Sequence, residues 1–280
     1  MSRVAGAGRT VAPFPPAWFI PPVVEADRKH AGDVRILTWN VHKGIGGLDR
    51  RYQPWRITEV IRFDNPDIIL LQEVAENIPR FRHDRQTASW GAALGYPHRV
   101  FLPTVQVAGG RWGSAILSRF PVTRHERVDL SFPMKKRRAA LVADIAVETR
   151  GRTWPLHVVN VHLGLSGVER RWQVRRLLAS APLSNLHRSS RIVIAGDTND
   201  WAGVLGRRTG QLRRAGFLTA WGRHHGSART FPAWYPVAAL DRVFLRGPIA
   251  CRHAHRSHHA LARKASDHLP VVVDLTRGAG

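Results

Sequence analysis

The sequence predicts a sheet-rich α/β sandwich, and three observations carry that prediction. Short apolar runs rich in β-branched and aromatic residues recur from Val34 to Leu275, as buried strands do. Only a few segments between them have helical spacing, and they alternate with the strands irregularly, which argues against a regular doubly wound fold. No internal repeat and no long Pro/Gly linker interrupts residues 33–277, so that span reads as one domain behind an N-terminal arm.

Element by element, residues 1–32 carry Pro13, Pro15, Pro16, Pro21 and Pro22 among glycine and alanine. Proline withholds a backbone donor, so an extended arm is expected there, with Trp18, Phe19 and Ile20 available for packing. "VRILTWNV" from Val34 reads as a buried strand. Trp55, Ile57, Val60 and Ile61 fall near helical spacing and predict a helix over 53–64. "DIILLQEV" (67–74) reads as a second strand, ended by Gln72 and Glu73, and residues 84–94 as a helix. "SAILSR" (114–119), "AALVADIAV" (139–147) and "WPLHVVNVHL" (154–163) read as strands. Residues 167–183 read as one amphipathic helix whose apolar face holds Val168, Trp172, Val174, Leu177 and Leu178. "RIVIAGD" (191–197), "LDRVFLR" (240–246) and "LPVVVDL" (269–275) complete the strands. The histidine-rich "HAHRSHH" (253–259) reads as a mobile basic loop.

Composition narrows the partners. The 280 residues hold 43 Lys+Arg against 20 Asp+Glu, a formal charge of +23. Such a surface attracts polyanions, whether nucleic acid, anionic lipid or a phosphorylated small molecule. Only five of the basic residues are lysines (Lys29, Lys43, Lys135, Lys136 and Lys264). The single cysteine, Cys251, excludes an intrachain disulfide and a cysteine zinc site and fits a reducing compartment. No apolar run reaches the roughly 20 residues of a membrane span, and residues 1–30 lack the apolar core of a secretory signal. A cytoplasmic location is therefore expected, and a monomer is assumed.

Polar and acidic residues stand where the strands end or begin: Asn40 and His42, Gln72 and Glu73, Asn160 and His162, Asp197 to Asp200, Asp241, and Ser266-Asp267-His268. Such a layout places reactive groups on loops held by a rigid sheet. In order, "TWNVHKG", "DIILLQEV", "WGSAILSRFP", "VVNVHLG", "IAGDTND", "LDRVFL" and "SDHLPV" resemble the endonuclease/exonuclease/phosphatase superfamily, which is deoxyribonuclease I-like. The resemblance covers about 34–275. It implies a four-layer α/β/β/α sandwich of two packed, mainly antiparallel sheets, and metal-dependent cleavage of a phosphate ester.

It also implies roles. Glu73, with Asn40 and Asp267, would hold Mg²⁺ or Mn²⁺, since hard cations take oxygen ligands. Asp197 would activate the attacking water, and Asn199 would hold that carboxylate or the phosphate. His268 paired with Asp241 would stabilise the phosphoryl group. His162 would bind phosphate or donate a proton, although "GGRWGSAIL" lacks the glutamate that supports such a histidine in the deoxyribonuclease-like branch. Arg138, or else Arg137, would contact the scissile phosphate. Asp200 has no implied role and reads as a helix or turn cap. Where the family usually has an aromatic, Thr198 stands. "RTFPAWYPVAALDR" is expected to face the substrate with Phe231, Trp234 and Tyr235.

The branch is less defined. "WNVHKGIGG" lacks the Asn-Gly-Arg of the abasic-site repair enzymes, and "GDTND" and "SDHLPV" match the inositol polyphosphate 5-phosphatases only in part. The pattern looks like a compact, little-characterised bacterial branch. Three functions remain open: a nuclease on DNA or RNA, a phosphodiesterase or phosphatase on phospholipid headgroups or small phosphate esters, and a non-catalytic polyanion-binding module.

Overall fold

The computed structural model describes residues 33–107, 109–221 and 228–278; the expected N-terminal arm, 1–32, lies outside them. Two six-stranded mixed sheets pack face to face. The first runs β11 (Ile249–Arg256), β12 (Val271–Arg277), β1 (Val34–Asn40), β2 (Ile68–Glu76), β4 (Gly110–Ser118) and β3 (His98–Val107). The second runs β5 (Val122–Asp129), β6 (Ala139–Thr149), β7 (Arg152–His162), β8 (Ile192–Asp197), β10 (Asp241–Arg246) and β9 (Leu218–Thr219). Each sheet is antiparallel except at one pair. These pairs are β1–β2, crossed over by α1 (Trp55–Asp64), and β7–β8, crossed over by α3 (Gly167–Leu178) and α4 (Ala181–Ser184).

The alternation of side chains builds the four layers. Val34, Ile36, Ile68 and Leu70 meet Leu141, Val158 and Val193 between the sheets. Leu37, Trp39, Ile69 and Leu71 face the other way, onto α1, α2 (Gln86–Leu94) and α6 (Ala262–Ala265). On the second sheet Val159, Val161 and Ile194 pack under α3 and α5 (Gln211–Arg214). Strands buried on both faces read as continuous apolar runs, which is why the central strands stand out in the sequence.

The structure corrects three expectations. Residues 249–256 form β11, so much of the expected loop "HAHRSHH" is an edge strand; its charged residues suit an edge open to water. The predicted 167–183 helix breaks at Ala179, and Ser180 and Pro182 start a separate turn. Its buried face also differs. Val168 is 58% exposed, while Glu169 and Gln173 are buried. Gln173 accepts from the Gly164 N–H (2.8 Å) and donates to the Leu130 carbonyl (3.1 Å), fixing the loop that follows His162. Finally, Glu73 does not end its strand: β2 continues to Glu76.

Candidate active site

The carboxyl ends of the two parallel pairs meet at one end of the sandwich, where Asn40 of β1 reaches Asp197 of β8. Asp197 is almost fully buried. Its Oδ1 accepts the Asn199 N–H (3.0 Å), and its Oδ2 accepts Asn40 Nδ2 (3.1 Å). His162 Nε2 lies 3.4 Å and His268 Nε2 3.8 Å from that same Oδ2. Asn199 has a left-handed φ of 49° that turns its N–H back onto the carboxylate, while its Nδ2 donates to the Leu163 carbonyl (2.9 Å). Burial pushes the Asp197 carboxyl up and Asp241 adds to it, with His268 opposing.

His268 pairs through Nδ1 with Asp241 Oδ2 at 2.8 Å, as expected. Thr230 Oγ1 donates to that oxygen at 2.6 Å, and Trp39 Nε1 donates to the His268 carbonyl at 2.8 Å. Burial by itself would depress His268, but Asp241 and Asp197 outweigh it and push it up to about 10, so it is an imidazolium at neutral pH. His162 goes the other way. Burial first, and then the charge of Arg138, hold it well below its ordinary value, so its ring is neutral. Arg138 is 7% exposed, and its Nε has no hydrogen-bond partner among the described residues. It lines a small cleft with His162, Trp112 and Ser114. Arg137, the other candidate, is exposed to solvent.

Glu73 sits in a β-bulge. The β2–β4 register jumps from Leu71↔Ala115 to Val74↔Gly113, and Glu73 takes φ 56°. A bulge re-aims a side chain at a sheet end. The Lys43 ammonium donates to Glu73 Oε2. Burial would raise this carboxyl, yet Lys43 outweighs it and holds it at about 2. His42 and Lys43 also have left-handed φ values, 45° and 60°. Backbone strain of this kind concentrates at functional sites. Asp267 lies 3.8 Å from His42 Nδ1, and the neighbouring Ser266 hydroxyl donates to the Asn40 carbonyl (2.7 Å).

Two groups of residues merit comparison as a cation site. Asp197, Asp241 and His268 present ligand atoms all within 4.8 Å of one another, a spacing that could hold a metal ion. A protonated His268 stands between the two carboxylates, leaving the cluster one negative charge, and it would have to release its proton to ligate an ion. Glu73 and Asp267 offer carboxylate oxygens and Asn40 an amide oxygen that already accepts the His42 N–H (3.1 Å), while Glu73 is held ionised with the Lys43 ammonium against it. That donor set suits a hard cation.

A model of the Endonuclease/Exonuclease/phosphatase family matches residues 37–268 of the chain. The chain belongs to that family. Escherichia coli (strain K12) "Uncharacterized protein YbhP" is 29% identical over 263 residues, covering 89% of this chain and 98% of YbhP. The endonuclease/exonuclease/phosphatase from Beutenbergia cavernae DSM 12333 superposes with a TM-score of 0.72 at 26% identity, covering 89% of this chain and 72% of that one. TDP2 from D. rerio shares the fold at a TM-score of 0.61 and 20% identity, over 87% of this chain and 99% of that one.

Of the residues around this endonuclease/exonuclease/phosphatase site, Thr230 and Lys43 were given no role from sequence, and several that were named sit differently. Gln72 and Asn160 are buried amides bonded to each other, not groups lining the cleft. Thr230 and Lys43 lie inside quoted motifs, but nothing local marks their partners, which are 11 and 30 residues away. Phe231 does reach the site, its ring 4.9 Å from His268, with Trp201 edge-on to it at 5.8 Å. Trp234 and Tyr235 are exposed. Asp200 caps a turn as read, its Oδ2 accepting the Leu205 N–H (2.8 Å). Thr198 pins the loop through the Leu240 carbonyl (2.7 Å).

Proposed function

We propose that this protein is a divalent-metal-dependent phosphoesterase that hydrolyses phosphodiester bonds of nucleic acid. The observation that carries the reading is the placement of Asp197, oriented by the Asn199 N–H and Asn40, with Arg138, whose Nε has no hydrogen-bond partner among the described residues, lining the adjoining cleft beside His162. A buried guanidinium whose Nε has no hydrogen-bond partner among the described residues has donors to offer an anion, even with Asp197, Glu73 and Glu169 near enough to act on its charge, and its planar fork suits phosphate oxygens.

In this reading Arg138 and the neutral His162 hold the phosphoryl oxygens by N–H donation. Asp197 takes the proton of a water whose oxygen attacks phosphorus. The bond to the leaving oxygen breaks, and that oxygen is protonated from solvent. The His268 imidazolium, fixed by Asp241 and Thr230, neutralises charge that builds in the transition state. Asn40 orients Asp197 through Nδ2, and its Oδ1 would join Glu73 and Asp267 in holding the cation. A bound Mg²⁺ or Mn²⁺ would supply Lewis-acid neutralisation of the phosphoryl charge.

Three features support nucleic acid as the substrate. The net charge is +23. Trp201, 58% exposed, stands edge-on to Phe231 beside His268 and offers a face on which a base can stack. One structure of this fold, from D. rerio TDP2, is described as complexed with single strand DNA product. A second reading, a phosphodiesterase on anionic lipid, is favoured by the exposed aliphatic side chains Leu165, Val168, Val204 and Val237 at the same end, because aliphatic chains suit an acyl layer better than a base. For either substrate we propose a cytoplasmic location. No helix among the described residues is long and apolar enough to cross a membrane.

The test is incubation with Mg²⁺ or Mn²⁺ and plasmid DNA, structured RNA or anionic phospholipid vesicles, with EDTA and Asp197→Asn as controls. Metal-dependent, Asp197-dependent cleavage of nucleic acid supports the main reading. Headgroup release with silence on nucleic acid supports the second. Polyanion binding without turnover on any of the three leaves the non-catalytic module.

A further inference from the structure

Trp112 is 6% exposed, anchored in a small apolar cluster with Ile45, Ala75, Ile78 and Phe81. Two ammonium groups converge on its ring, Lys43 Nζ at 5.0 Å and Lys136 Nζ at 4.2 Å from the centroid. The chain has only five lysines in a strongly arginine-biased set of cations, and two of them share this one tryptophan. Their charges are not equivalent. Lys43 is paired with Glu73. Lys136 has no ion-pair partner among the described residues, and it feels Glu73, Arg138 and Lys43 at a distance. The same Trp112 lines the cleft that holds Arg138. Arg138 and Trp112 thus line one cleft, and the exposed Lys136 sits over the same Trp112 ring; neither cation has a salt bridge among the described residues.

One phosphate oxygen set can satisfy Arg138, but Lys136 is left over. An aromatic face holds an ammonium in place without neutralising it, and lysine acts on phosphate as a compact point charge with rotatable donors. We propose that Lys136, with Lys43 beside it on Trp112, forms a second anion subsite that takes a phosphate adjacent to the one being hydrolysed. The substrate class is then a compound with at least two phosphate groups, for which a nucleotide chain is the source that the net charge favours. This inference rests on the phosphoesterase reading above and narrows its substrate.

Two measurements keep the inferences separate. The first compares kcat/KM on bis(p-nitrophenyl) phosphate, with one phosphate, and on the p-nitrophenyl ester of thymidine 3′,5′-bisphosphate, with two. Lys136→Ala is expected to leave the first within twofold and to lower the second by roughly tenfold through KM, with Lys136→Arg restoring it. Equal losses on both substrates, or none on either, overturn the subsite. The second measures binding in EDTA of thymidine 5′-monophosphate, 5′-phosphorylated dithymidylate and inositol 1,4-bisphosphate. A Lys136-dependent gain for the dinucleotide over the mononucleotide supports the subsite with a nucleotide chain as its source. The same gain for the inositol bisphosphate alone supports it with a sugar-phosphate or lipid headgroup as the source. A gain for neither overturns it. Absence of turnover by the wild-type protein defeats the phosphoesterase reading, while the binding measurement still decides the subsite.

Discussion

Gln72 Nε2 donates to Asn160 Oδ1 at 2.7 Å, a direct bond between the two sheets beneath the active site. Both side chains have no exposed surface. Asn160 Nδ2 in turn donates to the Leu71 and Ala115 carbonyls (2.8 and 2.9 Å), and Gln72 Nε2 also reaches Thr38 Oγ1 (3.1 Å). The first sheet bends its β2 strand at Glu73, and this amide network holds β2 and β4 against β7 where the bulge has broken their own ladder. A polar network in a dry interior favours one register, since slipping it would unpair several members at once, although Gln72 Oε1 has no hydrogen-bond partner among the described residues even here.

Replacing Asn160 with alanine would take a side-chain donor from the Leu71 and Ala115 carbonyls, while Gln72 Nε2 keeps Thr38 Oγ1 and the Leu70 carbonyl. Stability is expected to fall by about 3 kcal/mol, the scale for buried groups left unsatisfied. Thermal melting checks this, with an expected drop of roughly 5–10 °C. A shift below one degree would show that water or a local repacking satisfies the network.

The Asp197→Asn protein should fold normally, because the amide keeps the shape and removes a charge that burial disfavours. Turnover should fall by roughly 10²–10⁴, the usual contribution of a general base. Melting temperature and initial rate, measured on the same preparation, separate the two effects. Near-normal activity would remove Asp197 from the mechanism.

Glu73→Gln should weaken divalent-cation binding, since the substitution keeps an oxygen but removes the charge that a hard cation prefers. Calorimetric titration with Mn²⁺ is expected to show at least about a tenfold loss, because even outer-shell changes at metal sites cost that much. The parallel titration of Asp241→Asn discriminates between the sites. A larger loss there would place the cation at the Asp197–Asp241–His268 cluster instead.

Asp64 ends α1 and is 4% exposed, and its Oδ2 has no hydrogen-bond partner among the described residues. Burial pushes this carboxyl up to about 7, with Ser257 and Arg35 offsetting only part of the rise. A carboxyl raised in the folded state binds its proton more tightly there than in the unfolded chain. Stability from this group is therefore full below the unfolded value near 4 and is lost as pH rises toward 7. Asp64→Asn should remove that slope and be the more stable protein above pH 7.5, by on the order of 2–4 kcal/mol. Denaturant unfolding at pH 5 and pH 8 measures the difference, and equal stabilities of the two proteins at pH 8 would refute the burial argument.

The limits of sequence reading fall along one physical line. The eight strands legible in the sequence are the inner ones of both sheets. The four missed, β3, β5, β9 and β11, are the four edge strands. An inner strand such as β1 buries Ile36 on one face and Leu37 on the other, so its composition announces it. An edge strand such as β5, "VTRHERVD", has only one buried residue, Val128, and its hydrogen bonds depend on a neighbour that the local sequence does not show. The same line divides the site. Asp197, Asn199, Asp241 and His268 stand in short motifs beside inner strands, and His268 met Asp241 as expected. Lys43 against Glu73, Thr230 under Asp241 and Lys136 over Trp112 join residues on different elements, and no period or spacing encodes them.

The amino-acid sequence by itself determined the positions of the inner strands and the identity of most polar groups at their ends, because these follow from which side chains avoid water and which follow a buried strand, and its motifs carried the resemblance that implied the family and the four-layer sandwich. Tertiary structure alone decided how those groups act. Packing made His162 neutral and His268 charged, left Arg138 rather than Arg137 in the cleft, turned Glu73 inward through a bulge, and set Lys136 on Trp112 without a counter-ion. Charge state and orientation depend on burial and on neighbours brought from distant parts of the chain, and the fold supplies both.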